Sequence, residues 1–591
     1  MLVNAQVLNA PESKIKKVRD VHGADVVVDA FLRNRTERIF IFPGGTIGPI
    51  LDRIEKRTKI EIVCPRTEQG AGYAALGYAR LTGKPAVFMV TSGPGVTNAV
   101  TPIADAYYDN IPMVVITGQV GTGDMRGNLP VKQRGFQEVD TVDLMRPVTK
   151  KAILVKDLRD LPDVMEEAFF LARTGRQGPV VIDLPMNVQR GTLAEDQFRA
   201  IEDRRADVPV PDADKINTLA QWIGEAQRPV ILAGGGVIAS GAWKELCALV
   251  DRYRIPVAMS MPGMGAYPSG GAMSLGLCGY AGSQWANLAI YKSDLLIGIG
   301  TTFHLRQTGS LPDRTVEEGR IARIDLDANE LRHSRVPLDL DINADARLAL
   351  ASLGAVLKRT LKPAAAHNAA WLKTIAGWKA QHPLWIGKAS RLPKPQDVIE
   401  AVNALVKGEQ VLVTTGVGQH QVWVPRHFDF AMPERVLLTS SGHGTMGYDV
   451  PTAVGAKIAM PDATVVCFVG DGSFQMNIQE LATIAERKLD IKIVVLDNHS
   501  LNIVAQFQRQ NWKSHPTTGD KYNPDFAAIA KAYGVDSVAI KTKTGMKEKL
   551  RAALRWKGPV VIHCHVDPEE DLLPMLLGGH TLDDMSTEWS F

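Results

Sequence analysis

Two apolar runs, residues 464–469 and 491–496, bracket a stretch in which Ile478, Leu481, Ala482 and Ala485 recur at helical spacing. Strands apolar on both faces belong inside a parallel sheet, so the pattern predicts a strand–helix–strand unit. The first strand ends in Gly470-Asp471-Gly472-Ser473 and the second in Asp497-Asn498. In an open parallel sheet, ligands bind in the crevice outside such strand ends. One carboxylate and one amide oxygen there, Asp471 and Asn498, are hard donors that suit Mg²⁺ shared with a ligand's phosphates. Gly470 and Gly472 let a diphosphate approach the backbone, and Ser473 can cap the next helix. An ordinary βαβ turn is the bland alternative; the Asn at the next strand end favours the metal–diphosphate reading.

A chain of 591 residues predicts several domains. Residues 20–190 alternate strand-like and helix-like segments, with strands at 38–42, 60–63, 85–90, 113–116 and 179–183. A polar, proline-bearing stretch (190–214) links them to a second unit, 215–357, whose strands end in Gly234-Gly235-Gly236, Gly300 and Asp325-Leu326-Asp327. A connection over 358–392 leads to a third unit, 396–568, and a polar tail, 569–591. Each unit reads as α/β, giving three doubly wound parallel-sheet domains.

Charged residues make up 22% of the chain and the net charge is +3, too small to argue for nucleic acid or membrane as partner. No apolar run is long enough to span a bilayer, and residues 1–19 lack the apolar core of a secretory signal; they read as a disordered lead, with a transit peptide as the alternative. Five scattered cysteines fit a reducing compartment, and a cytoplasmic location is expected. His563-Cys564-His565 lies in an apolar, strand-like run and reads as structural rather than metal-binding.

Gly470-Asp471-Gly472-Ser473 with Leu496-Asp497-Asn498 resembles the thiamine diphosphate and Mg²⁺ motif of thiamine enzymes. Gln479-Glu480-Leu481-Ala482-Thr483 and Gln506-Phe507-Gln508 resemble the catalytic subunit of acetolactate synthase. The likeness extends from Phe42-Pro43-Gly44-Gly45 to Asp567-Pro568-Glu569-Glu570. It implies pyrimidine-binding, central and diphosphate-binding domains in that order. It also implies decarboxylation of a 2-oxoacid, pyruvate, and carboligation to a second 2-oxoacid. Glu68, in Arg66-Thr67-Glu68-Gln69-Gly70, matches the glutamate that hydrogen-bonds the aminopyrimidine and starts the proton relay, although Thr67 replaces the usual His. Thr91-Ser92-Gly93-Pro94-Gly95 flanks the ring.

By the same resemblance, Met446, after Gly444, holds the bent cofactor, and Val417, Gly418, Gln419 and His420 contact its diphosphate. Ser500 joins Asp471 and Asn498 at the metal. Gly44, Gln137 and Lys150 fall at the substrate end. Arg176, Gly235, Gly236, Arg306 and Asp325 match FAD-binding positions; a nucleotide-type fold without ligand is the alternative. Glu68 of one subunit would face Asp471 of another, so a homodimer or homotetramer is implied, with a small regulatory subunit as an optional partner. Several pocket positions depart from the family: Phe507 for Trp, Asn502-Ile503 for Gly-Met, Met186 for Lys, Asp449 for Gly, and a long 121–135 loop. These keep open a specialised lyase or carboligase acting on another 2-oxoacid or a dione. A non-catalytic cofactor-binding protein is the reading from another class, and Glu68, Asp471 and Asn498 argue against it.

Overall fold

A computed structural model of the chain describes residues 20–362, 368–384, 389–512, 518 and 521–588. The expected lead over 1–19 lies outside them, as do 363–367 and 385–388 of the second connection. Among the described residues no helix is long and apolar enough to cross a membrane.

Three six-stranded, all-parallel sheets form the frame. The first runs, edge to edge, Glu61–Val63, Arg38–Ile41, Ala86–Val90, Met113–Gln119, Pro179–Pro185 and Lys151–Leu154. The third runs Arg435–Thr439, Val411–Thr415, Thr464–Gly470, Ile491–Asp497, Val560–His565 and Asp536–Ile540. Numbered by chain order within each domain, both read 2-1-3-4-6-5. The central sheet runs Ser274–Leu277, Val257–Met259, Pro229–Ala233, Leu295–Ile299, Arg320–Asp325 and Leu340–Asn343, or 3-2-1-4-5-6. Connections reverse direction between strands 1 and 3 of the outer sheets and between strands 1 and 4 of the central one. Those reversals open the crevices where ligands bind in such folds.

The expected unit around Asp471 forms as Thr464–Gly470 paired in parallel with Ile491–Asp497. Its helical stretch is broken in two, Asp471–Met476 and Glu480–Glu486. Glu480 is fully buried, on the same short helix as Leu481 and Ile484.

The first and third domains meet through helices Glu68–Thr82 and Asp449–Ala459. A Cβ on Gly455 would lie 1.9 Å from the Ala74 carbonyl oxygen, and one on Gly77 would lie 2.4 Å from the Thr452 carbonyl. The glycines therefore bring the two backbones into direct contact, and Tyr73 and Tyr448 close the seam edge to face. The segment following residue 569 is no loose appendage: Leu576, Leu582 and Met585 pack into the core of the central domain. Arg426 of the third domain donates to the carbonyls of Ala281, Gly282, Leu573 and Pro574, binding tail, central and third domains together.

Candidate active site

Asp471 and Thr415 sit at the carboxyl ends of the two strands that flank the reversal point of the third sheet. The Asp471 carboxylate is 4% exposed and makes no ion pair with a Lys or Arg among the described residues. Burial pushes its pKa up to about 6, with the Asn523 amide opposing that shift and neighbouring Asp497 adding to it. One amide nitrogen, Nδ2 of Asn523, donates to Asp471 at 2.6 Å and to Asp497 at 2.7 Å. Asn498 follows, buried, with its Oδ1 accepting from the Ser500 amide at 3.1 Å. The Ser500 hydroxyl donates to the Thr518 carbonyl, so its side chain is committed to shaping the loop. Asp497 is paired with His563 at 2.7 Å, whereas Asp471 is a buried acid with no such partner among the described residues, beside a second carboxylate, an environment that a divalent cation relieves. Mg²⁺ therefore fits these donors. Asn523 is absent from the sequence reading, and at 52 residues from Asp471 no local spacing points to it.

Beside this lies the turn 416–420. Gly418 adopts φ +148°, and the His420 ring packs 2.7 Å from where its Cβ would stand, so only glycine fits. His420 Nε2 is 3.1 Å from Asp449 Oδ1. The same carboxylate accepts from the Gly416 amide and the Ser473 hydroxyl, and Ser473 accepts in turn from the Gly447 amide at 2.8 Å. Asp449, fully buried, thus fixes three of the groups expected around a diphosphate. In the sequence it appears only as a departure from glycine. Gln419 turns its amide to Gln506 Oε1 at 2.8 Å, away from the others. Gln69, Val417, His443, Gly444, Thr445, Met446 and Met476 line the cleft above the turn. His443 stacks on Tyr108 of the first domain at 5.5 Å.

In the first domain Glu68 opens its helix, 8% exposed, and accepts from Asn98 Nδ2 at 3.1 Å. Thr67 caps that helix, accepting from the Gly70 amide at 2.9 Å, which gives the residue in place of the usual His a defined task. Glu480 of the third domain accepts from the Arg66 amide at 3.0 Å, so the turn carrying Glu68 is tied directly to the diphosphate-side domain.

Gly44 is extended, with Thr91 side-chain atoms 2.3 Å from its Cβ direction, at the reversal point of the first sheet. Gln137 holds φ +61° against Gly93. Glu138 accepts from the amides of Arg126, Arg134 and Gly135, folding the long 121–135 loop around one carboxylate. Burial works to raise its pKa, and those three N–H groups outweigh it, leaving it below the usual range.

Lys150 is not brought to this site. It precedes strand Lys151–Leu154, and its amide bonds the Pro179 carbonyl, at the amino edge of the sheet, opposite the ends that carry Glu68 and Gly44. Its ammonium donates to the Leu171 and Thr174 carbonyls at the end of helix Leu161–Arg173. The sequence match therefore marks a helix-capping lysine.

In the central domain Gly234 and Gly236 pack against Gly300 across the reversal point; a Cβ on Gly236 would stand 2.7 Å from Gly300 Cα. Gly235 faces Pro262. Arg176 reaches over from the first domain to Glu330 and Asp327 beside Asp325. Asp325 accepts from buried Arg323 at 2.7 Å and from the Asp327 amide at 3.0 Å. Arg306 lies over the Tyr280 ring and donates to its hydroxyl. The Arg323 Nε is buried without a partner. Thinned backbone, an acid at the next strand end and an orphaned cationic donor are features a dinucleotide fits.

Comparison with known proteins accords with this geometry. The N-terminal TPP binding domain of thiamine pyrophosphate enzymes matches residues 21–144, their central domain 216–353, and their C-terminal TPP binding domain 416–564. An acetolactate synthase large subunit from Parasynechococcus marenigrum is 38% identical over 97% of this chain and 90% of its own. One from Haemophilus influenzae is 36% identical over 96% and 98%. The chloroplastic acetolactate synthase of Arabidopsis thaliana is 35% identical over 96% and 84%. The chain belongs to the thiamine pyrophosphate enzyme family, among the relatives of the acetolactate synthase large subunits.

Proposed function

We propose that this chain is the catalytic subunit of an acetolactate-forming carboligase that consumes two molecules of pyruvate and releases one of CO₂. The observation that carries the reading is the buried Asp471 carboxylate at the third sheet's reversal point, joined through Asn523 to the neighbouring Asp497, beside a glycine turn and the cleft that Met446 lines. Bound thiamine diphosphate supplies a carbon nucleophile for the 2-oxo carbon and an electron sink for decarboxylation. Asp471, Asn498 and Ser500 would hold Mg²⁺ against the diphosphate. Gly472, Ser473 and His420 would orient its phosphates, and Val417, Gly444 and Met446 would support the rings. Glu68 would hold and return a proton at the aminopyrimidine nitrogen. Gln137 and Gly44 would position the 2-oxoacid.

Asn502 bonds the Pro568 and Glu570 carbonyls, and Gln506 bonds Leu572, so helix Asn502–Trp512 is fixed on the tail with Phe507 facing outward. That outward face would meet the acceptor. A phenylalanine there in place of tryptophan supports an altered acceptor preference, and a specialised lyase or carboligase is the second reading. FAD in the central domain, a homodimer or homotetramer with Glu68 and Asp471 supplied by different subunits, a regulatory partner and a cytoplasmic setting complete the proposal.

The test is purified protein with pyruvate, thiamine diphosphate and Mg²⁺, alone and with 2-oxobutanoate. Acetolactate from pyruvate supports the reading. Its absence, with turnover of another 2-oxoacid or a dione, favours the second. Flavin absorbance of the purified chain decides the FAD element.

A further inference from the structure

Two histidines and an aspartate meet at the carboxyl edge of the third sheet, next to Asn498. His563 and His565 are two apart on strand Val560–His565 and so share a face, and the parallel register sets His565 beside Asp497. One donor atom from each of the three lies within 4.8 Å of the others. The two imidazole rings are 4.2 Å apart. His563 is 2% exposed, and while its Nε2 meets Asp497 at 2.7 Å, its Nδ1 has no hydrogen-bond partner. Buried polar atoms are satisfied in the great majority of cases. A plain His–Asp pair in the core accounts for Asp497 and His563, but leaves both that nitrogen and the neighbouring imidazole of His565 unexplained.

Access exists from solvent. His565 is half-buried, and exposed Asp525 Oδ1 lies 3.8 Å from His563 Nδ1. His499 Nδ1 lies 3.8 Å from Asp497 Oδ1, with its ring 6.1 Å from that of His565.

We infer that Asp497, His563 and His565 form a site for a first-row transition-metal dication such as Zn²⁺, separate from the Asp471–Asn498 position, with His499 in reach as a fourth donor. Imidazole-rich sets take Zn²⁺, Co²⁺ or Ni²⁺ in preference to Mg²⁺, and three protein ligands with a further open position are a common arrangement. The two positions are linked through Asn523, whose amide nitrogen bonds both Asp497 and Asp471. A cation on Asp497 competes for the oxygen that Asn523 holds, so loading this site shifts the cofactor-side carboxylate. The inference rests on the cluster's own geometry and stands whether or not the proposed reaction is correct.

The test uses the full chain, saturated with thiamine diphosphate and Mg²⁺, equilibrated with Co²⁺ and washed in excess Mg²⁺. One Co²⁺ retained per chain, with visible ligand-field absorption, is expected. Retention should be lost in His565→Ala and His563→Gln and kept in Asp471→Asn. His565→Ala is the leading variant, because its half-exposed strand end is least needed by the core, and circular dichroism checks its fold. Absence of retained Co²⁺ in the wild type overturns the inference. So does equal retention by both histidine variants, or loss in Asp471→Asn with retention in His565→Ala, which assigns the ion to the cofactor side.

Discussion

His420 and Asp449 face each other 3.1 Å apart in a fully enclosed contact, and the aspartate simultaneously holds the Gly416 amide and the Ser473 hydroxyl. One side chain therefore organises both halves of the diphosphate-side crevice. Asp449→Ala strands three buried polar groups, each costing about 1–3 kcal/mol when unpaired. The expected loss in urea unfolding of the cofactor-free protein is about 3 kcal/mol or more, with weaker thiamine diphosphate binding by calorimetry. Unchanged stability and affinity would show that the network is dispensable.

Glu68→Gln removes the acid and keeps the shape and the Asn98 contact. General acid–base groups contribute about 10²–10⁴-fold, so turnover should fall by that factor while Mg²⁺-dependent cofactor binding changes only a few-fold. Steady-state rates and calorimetry on the same preparation separate the two effects.

Gly455→Ala tests the backbone contact between domains, because the added carbon would stand 1.9 Å from the Ala74 carbonyl oxygen. Overpacking of this kind costs about 1–3 kcal/mol. A lowered unfolding midpoint is expected, and activity should fall with it, since the partner helix that carries Ala74 has Glu68 at its start.

Asp183, 1% exposed, has its carboxyl pushed up to about 7 by burial, against the opposing hydrogen bonds from Thr117 and Gln119. Its folded-state pKa is above the unfolded one, so the native protein binds the extra proton. The stability it contributes is full below about pH 4 and is lost as pH rises through about 7. Asp183→Asn should flatten that decline by a few kcal/mol at most, read as the difference between wild-type and variant unfolding free energies at pH 5 and pH 8.

Much of this was legible in the chain. Buried strands such as Thr464–Gly470 and Ile491–Asp497 announce themselves as apolar runs, and their Asp and Asn ends follow directly. Lys151–Leu154 carries no such run because it lies at a sheet edge, half exposed, and Arg435–Thr439 is obscured for the same reason. Lys150 matched by sequence yet caps a helix, since a linear motif does not tell which edge of a sheet a residue occupies. Asn523, Asp449 and Glu480 act through contacts far apart in the chain, which no spacing rule reaches.

The most direct measurement is calorimetric titration of thiamine diphosphate into wild-type and Asp471→Ala protein, with and without Mg²⁺. One cofactor bound per chain, only with Mg²⁺, and affinity weakened about 100-fold or more in the variant is the expected result. Binding that ignores both Mg²⁺ and the loss of Asp471 would mean that the crevice at the third sheet's reversal point is not where the cofactor is held.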